Sequence, residues 1–333
     1  MGKRQDKVFK SDTGRVHRCS IVSLSPLKIE NVIEYPELVK TPDKLIKFYA
    51  VSANSVDALL NNYLYAANPL LFNDPFDCPA QLWNLDSFRY ENIQRFALFE
   101  DLIKKYGEDR FMSPIHNRNL FFEFRMATLG IICLHEFSLN SNDCQDTLWG
   151  YYSNQQGFAV KFDSCILRKS LGTPFQVEYL ERSKLDEFSL DSIKENEDFL
   201  PMFLRWTTQK KKIWENEYEW RFVLQDLKAE TLMLDSPGKV RRRTYYKSAI
   251  SEVLLGLKFF HKTNMVEVSN SRSYYVIDTE KYNHQYKLLS FISFPSEIPV
   301  KHIYMKQKKL AMHPRSCQIF NENNGRFRIE YLE

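Results

Sequence analysis

The sequence predicts an α+β protein with mixed and antiparallel sheets flanked by helices. Strand-like and helix-like periodicities are interspersed along the chain, without the regular strand–helix–strand alternation of a doubly wound sheet. Glycine is scarce, 10 residues in 333, while aromatic residues make up 14%. That composition suits packed strands and helices rather than low-complexity tracts. Hydrophobic content of 44% and charged content of 26% are ordinary for a chain with a real core.

The elements follow in order. Residues 1–40 are polar and then punctuated by Pro26 and Pro36, and read as an extension that docks on the body or on a protein partner. Residues 44–51 have short strand character. Residues 55–62 fit a brief helix, with Ser52 or Asn54 as the cap ahead of Val56, Leu59 and Leu60. Asn68-Pro69 and Asn73-Asp74-Pro75 carry turn chemistry. Helices are expected over 87–106, ended by Gly107, and over 119–126, followed by a buried-type strand at 130–134. A helix at 146–153 precedes an alternating strand at 157–162 and another strand at 175–180. The acidic stretch 185–198 reads as surface helix or loop, and 199–208 as an aromatic-rich helix. A strand at 214–224, a hairpin around Ser236-Pro237-Gly238, a strand at 250–256 and short strands from 273 onward complete the chain. The expected division is an extension (1–40), a main domain (41–265) and a β-rich segment (266–333) packed on that domain.

Composition and absences narrow the function classes. A formal net charge of +4 is too small to imply an anionic partner. The basic residues are nevertheless clustered, as Lys210-Lys211-Lys212 and as Arg241-Arg242-Arg243, the latter followed by Tyr245, Tyr246 and Lys247. Such runs suit phosphates, with aromatic rings for bases to stack on; a solvated loop explains them equally. The six cysteines show no Cys-x-x-Cys spacing, so no metal site is expected and free buried thiols in a reducing cytosol are. The N-terminus lacks an apolar signal core, and no apolar run approaches ~18 residues. A cytoplasmic protein without a membrane partner is expected. There is no Gly-rich phosphate loop, no dinucleotide glycine fingerprint and no Gly-x-Ser-x-Gly elbow, and His135-Glu136 lacks the second His of a zinc protease.

Three patterns carry candidate chemistry. On a strand over 214–222, Trp214, Asn216, Tyr218, Trp220 and Phe222 share one face, and Glu215, Glu217, Glu219 and Arg221 share the other. Carboxylates two residues apart lie roughly 6–7 Å apart on a strand, close enough for two to bracket a ribose. A half-buried strand with its charged side in water is the plainer alternative. Asn73 and Asp74 suit a tight turn. Trp149 and Tyr152, at helical spacing, suit either a core or a binding wall.

In order along the chain stand Lys47-Phe48-Tyr49, Asn73-Asp74-Pro75-Phe76-Asp77, Cys133, Trp149-x-x-Tyr152, the 157–163 strand, Trp214-x-x-Glu217-x-Glu219-x-Arg221 and Glu252-Val253-Leu254-Leu255-Gly256. This series resembles a bacterial domain-of-unknown-function family, number twenty-nine seventy-one, over roughly residues 44–260. It departs from the family at Leu134-His135, where Phe-Ser is expected. The same layout resembles the ADP-ribosyltransferase superfamily, which implies that core fold and NAD as a substrate. By that resemblance Glu219 would stabilise an oxocarbenium-like transition state, and Glu217 would position or deprotonate the acceptor. Lys47 would meet the pyrophosphate, and Tyr49 or Tyr152 would stack on nicotinamide. Asn73, Asp74, Trp149 and Arg221 complete the expected NAD-binding set. Lys47 stands where the superfamily carries His or Arg. The resemblance implies a transferase acting as a toxin or antiviral effector on a protein or nucleic-acid acceptor. Two other readings stay open. One is a non-catalytic module binding nucleic acid through Arg241, Arg242, Arg243 and Lys247, or binding protein. The other is a nuclease holding magnesium with Asp74, Asp77, Glu217 and Glu219.

Overall fold

The computed structural model describes residues 4–10, 16–23, 31–34, 40–94, 103–104, 107, 129–137, 142–192, 199–224, 241–261, 263–268, 272–306 and 311–332. The chain forms two compact units. The first takes residues 1–41, 65–133 and 171–242, and the second 42–64, 134–170 and 243–333. Both units therefore draw on several stretches of chain, where the sequence reading divided it linearly. The 266–333 segment lies wholly in the second.

The second unit is built on a large sheet whose strands run, in spatial order, Asn264–Val268, Arg272–Val276, Arg326–Tyr331, Ala311–Asn321, Val300–Lys306, Ile250–Leu255, Phe158–Asp163 and Lys44–Tyr49. Each neighbouring pair is antiparallel except Ile250–Leu255 with Val300–Lys306, which is parallel. A parallel pair needs a long return, and the chain between these strands supplies it, carrying a helix at Asn283–Ile292. The sequence reading expected only strands there. Gln285, Leu288, Leu289 and Ile292 are the buried residues of this helix, the i, i+3, i+4, i+7 stripe of an amphipathic helix. Ile46, Phe48, Leu148, Trp149, Ala159, Leu254, Ile303 and Met312 form one core cluster of this unit. Helix Ala53–Leu60 begins at Ser52, whose hydroxyl accepts from Ser55 N while the Ser55 hydroxyl accepts from Ser52 N. Gly157 is required where helix Asn142–Ser153 turns into strand Phe158–Asp163: a Cβ there would lie 1.9 Å from the Tyr49 carbonyl oxygen.

The first unit contains an antiparallel sheet of Arg4–Lys10, Val16–Ser23 and Asn31–Glu34 and a short parallel pair, Glu178–Leu180 with Gln209–Lys211. Strand Glu219–Leu224 pairs antiparallel with Phe175–Gln176. Trp83, Phe88, Phe188, Met202, Phe203 and Trp206 dominate its core, with Trp206 Nε1 donating to the Pro79 carbonyl at 3.1 Å. Helix Phe199–Thr207 supplies three of them, as its aromatic stripe predicts.

The α+β class holds, with mixed sheets and flanking helices. Several expected elements change. The strand predicted at 214–224 is a strand only over Glu219–Leu224; Lys212–Glu217 is a 3-10 helix, and Tyr218 adopts the left-handed region (φ 46°) that separates the two. Within 87–106 a short helix spans Tyr90–Ile93, and residues 95–102 lie outside the described residues. The expected helix at 119–126 and hairpin at 236–238 also lie outside them. Among the described residues no helix is long and apolar enough to cross a membrane. Cys78 and Cys317 are buried free thiols as expected, while Cys165 is exposed.

Candidate functional site

In the first unit the two acidic motifs meet. Strand Glu219–Leu224 is buried at Glu219, Trp220, Arg221 and Phe222 alike, so its charged side faces the interior, not water. Charges taken out of water must be paired, and here they are. Arg221, 0% exposed, donates from Nε to Glu219 Oε1 and from Nη2 to Glu219 Oε2, both at 2.9 Å. Its Nη2 also reaches Asp77 Oδ2 at 2.7 Å, and its Nη1 donates to the Thr207 carbonyl at 2.7 Å. Lys210 Nζ lies 2.6 Å from Glu217 Oε2, 3.2 Å from Glu219 Oε2 and 3.4 Å from Asp77 Oδ2. The 3-10 turn and the left-handed Tyr218 swing Glu217 onto this lysine, a geometry that strand alternation could not foresee. Tyr179 accepts from Glu219 N through its hydroxyl at 2.9 Å.

Three carboxylates thus share two cations. Burial opposes the charged form of Lys210, but the surrounding carboxylates, Glu219 foremost, more than compensate and hold its proton firmly. Arg221 is held charged in the same way by Asp77 and Glu219. Burial raises the pKa of Glu217, and Lys210 offsets only part of the rise. Cys78, in contact with Asp77 and Arg221, is pushed up by burial and then by Asp77, which keeps it a thiol. Among the described residues no group of three or more His, Cys, Asp or Glu could hold a metal ion. The ammonium of Lys210 lies against three of the four carboxylates that the magnesium reading needs, Asp77, Glu217 and Glu219.

The remaining candidates of this unit take structural places. Asp74 Oδ1 accepts from Phe76 N at 2.9 Å, closing the turn, and Asn73 beside it is exposed. Arg241, expected on a phosphate-binding patch, is buried and donates to the Ala66 and Leu129 carbonyls at 3.1 and 2.9 Å. Satisfying those backbone acceptors is its role, because an unpaired buried carbonyl is costly. Arg242 is half-buried; Arg243 and Lys247 belong to the second unit, where Arg243 is half-buried and Lys247 is exposed with its ammonium 5.6 Å from the Phe291 ring.

The second unit contains a cleft of about 470 Å³. One wall is the end of helix Asn142–Ser153 and the residues after it, with Tyr151 and Tyr152; Ala50 and Val51, after strand Lys44–Tyr49, adjoin it. The facing residues come from the turn after Ile250–Leu255, Lys258 and Phe259, and from the start of helix Asn283–Ile292, with Lys281, Tyr282, His284 and Gln285. Among the described residues no Asp or Glu lines the cleft. Tyr152 is 41% exposed, while its ring stacks on Phe48 at 6.4 Å and lies 5.2 Å from His135. Phe48 in turn meets Trp149 edge-on at 5.1 Å. The tyrosine is therefore held from behind and open in front.

Of the residues expected to bind NAD, Tyr152 alone lines this cleft. Trp149 is buried core beneath it. Tyr49 stacks on Phe158 at 5.1 Å, and burial, then Tyr245 and Tyr63, hold its hydroxyl protonated. Lys47 sits 5.7 Å over the Tyr49 ring. The other lining residues were missed because no local motif marks them. Only the alternation of cations and aromatics in Lys281-Tyr282-Asn283-His284 hinted at a wall. Comparison with family models, curated proteins and solved structures finds no match.

Proposed function

We propose that the second unit binds a nucleotide, and that the nucleotide is NAD, consumed as a donor of ADP-ribose. The observation that carries the binding step is Tyr152, a ring anchored by Phe48 and His135 and presented to a concave cleft. Concave sites with a rigid aromatic wall and a few polar groups are the usual form of small-molecule sites, and a fixed ring offers a stacking face at little entropic cost. NAD is chosen among nucleotides by the motif resemblance.

By the motif resemblance alone, and independently of the cleft, the acidic cluster is the candidate for the transfer step. Glu219 would carry the developing positive charge at the ribose, and Glu217 would handle the acceptor's proton. The raised pKa of Glu217 supports that assignment, since acid–base groups work best when their pKa approaches the working pH. In the arrangement described, both oxygens of Glu219 are engaged by Arg221, so catalysis requires the cluster to open.

Incubation with NAD labelled in its ADP-ribose half, in the presence of cell extract, tests the reading. The wild type is expected to release nicotinamide and transfer label, and Glu219→Gln to lose both by a factor of about 100 or more. Absence of both products from the wild type would sink the transferase. Binding is read separately by calorimetry, where Tyr152→Ala is expected to weaken NAD about tenfold.

A second reading, a non-catalytic module for single-stranded nucleic acid, is favoured by the same acid-free, aromatic and cationic lining. It expects oligonucleotide binding with a steep salt dependence and no turnover of NAD.

A further inference from the structure

Lys258, Lys281 and His284 all line the cleft of the second unit. Lys258 and Lys281 are exposed, and among the described residues neither ammonium takes part in an ion pair. Their backbones are held in place. Lys258 N donates to the Gln155 carbonyl at 2.7 Å. Gln285 Nε2 donates to the Phe259 carbonyl at 2.9 Å, tying the turn that carries Lys258 to the first turn of helix Asn283–Ile292. Asp278, the acid nearest this corner in sequence with Glu280, turns Oδ1 onto the amides of Glu280 and Lys281. The helix starts without a side-chain cap and without an acidic residue in its first turn. Among the described residues no side chain caps its first amides, which leaves the positive end of the helix open to an anion. A further observation is polar rather than ionic. Gln285 is 7% exposed and lines the cleft, and its Oε1 has no partner among the described residues. The Nε2 bond fixes this side chain, and its oxygen can accept from water or from a ligand.

We infer that Lys258, Lys281 and His284, at the head of helix Asn283–Ile292, form a subsite for a diphosphate, with Gln285 Oε1 accepting a hydrogen bond from a hydroxyl of the same ligand. This deepens the nucleotide reading and rests on it for the identity of the whole ligand. Two ammonium groups and an imidazole in one cleft, a helix start beside them and, among the described residues, no carboxylate in the lining match a compact anion of two or more charges. The rings of Tyr151 and Tyr152, 66% and 41% exposed, lie on the wall contributed by another helix, where the ligand's planar group would meet them.

The test is calorimetric titration of the full chain with inorganic pyrophosphate and, separately, with NAD. Pyrophosphate is expected to bind the wild type, and Lys258→Ala with Lys281→Ala to weaken it by about tenfold or more, with a reduced salt slope. Tyr152→Ala should leave pyrophosphate affinity within about twofold, because the ring faces the planar group and not the anion. Gln285→Leu should weaken NAD but not pyrophosphate. Far-ultraviolet circular dichroism confirms that each variant folds, and Lys281→Glu supplies a charge reversal should the double variant prove unstable. Pyrophosphate that fails to bind, or binds both lysine variants as it binds the wild type, overturns the subsite. If pyrophosphate binding follows the lysines while NAD does not bind, the subsite stands and the nicotinamide reading falls. NAD that binds the lysine variants as tightly as the wild type overturns the subsite and leaves the nucleotide reading in place.

Discussion

At the scale of single residues, Arg221 holds together the cluster that the motifs pointed to. It is enclosed and donates to Glu219, Asp77 and the Thr207 carbonyl. Removing one partner of a buried ionic group is far more damaging than replacing the whole group, because the remaining charges keep their desolvation cost. Arg221→Ala is therefore expected to lower stability by about 3–5 kcal/mol, measured by urea unfolding at pH 7. Glu217 behaves differently. Its pKa is raised by burial, so the folded state holds its proton more tightly than the unfolded chain does. Its contribution to stability is greatest below the ordinary carboxylate pKa and is lost as pH rises through the raised value. Glu217→Gln does not titrate. The wild type should gain stability relative to this variant as pH falls from 7 toward 4, and a difference that shrinks over that range would contradict the burial argument.

At the scale of elements, local chemistry and packing divide the work. Helix Ala53–Leu60 is set by a reciprocal Ser52–Ser55 cap that is visible in sequence. Ser52→Ala should cost about 1 kcal/mol and be read as a lowered thermal midpoint. Gly157 obeys a tertiary rule instead. The atom a side chain would strike is the backbone oxygen of Tyr49, which cannot rotate aside. Gly157→Ala is expected to cost at least about 2 kcal/mol, more than the cap, and equal costs would show that the strand shifts freely. The 212–224 segment shows how an alternating pattern misleads. Burial on both sides of Glu219–Leu224 removes the inside–outside contrast that alternation encodes, and the ion pair with Lys210 draws Glu217 out of register.

At the scale of the whole molecule, acid sensitivity follows from carboxylates tied to cations. For Glu252 burial raises the pKa, but hydrogen bonds from Lys161 at 2.6 Å and the contact with Lys301 at 2.9 Å outweigh it and lower the net value. Asp163 is likewise lowered, chiefly by its hydrogen bond from Lys44 at 2.9 Å. Lowered carboxylate pKa values contribute stability that is complete above the ordinary carboxylate range and lost as pH falls through the lowered values. The urea midpoint should drop between about pH 5 and about pH 3, roughly one unit either side of the ordinary carboxylate pKa. Glu252→Gln should show a smaller drop than the wild type, and an identical drop would remove Glu252 from the explanation.

The sequence by itself determined the α+β class, the strands Lys44–Tyr49 and Ile250–Leu255, the helices Asn142–Ser153 and Phe199–Thr207 and the prominence of the Glu217–Arg221 motif, because periodicity, capping and turn chemistry act between near neighbours. Only tertiary structure decided what those residues touch. It buried Arg241 beneath two carbonyls, turned the acidic motif inward onto Lys210 and Asp77, and gathered Tyr152, Lys258, Lys281 and Gln285 around one cleft. Those outcomes depend on desolvation and on contacts that include pairs more than a hundred positions apart, such as Arg241 with Ala66 and Lys210 with Asp77, and no local pattern carries either.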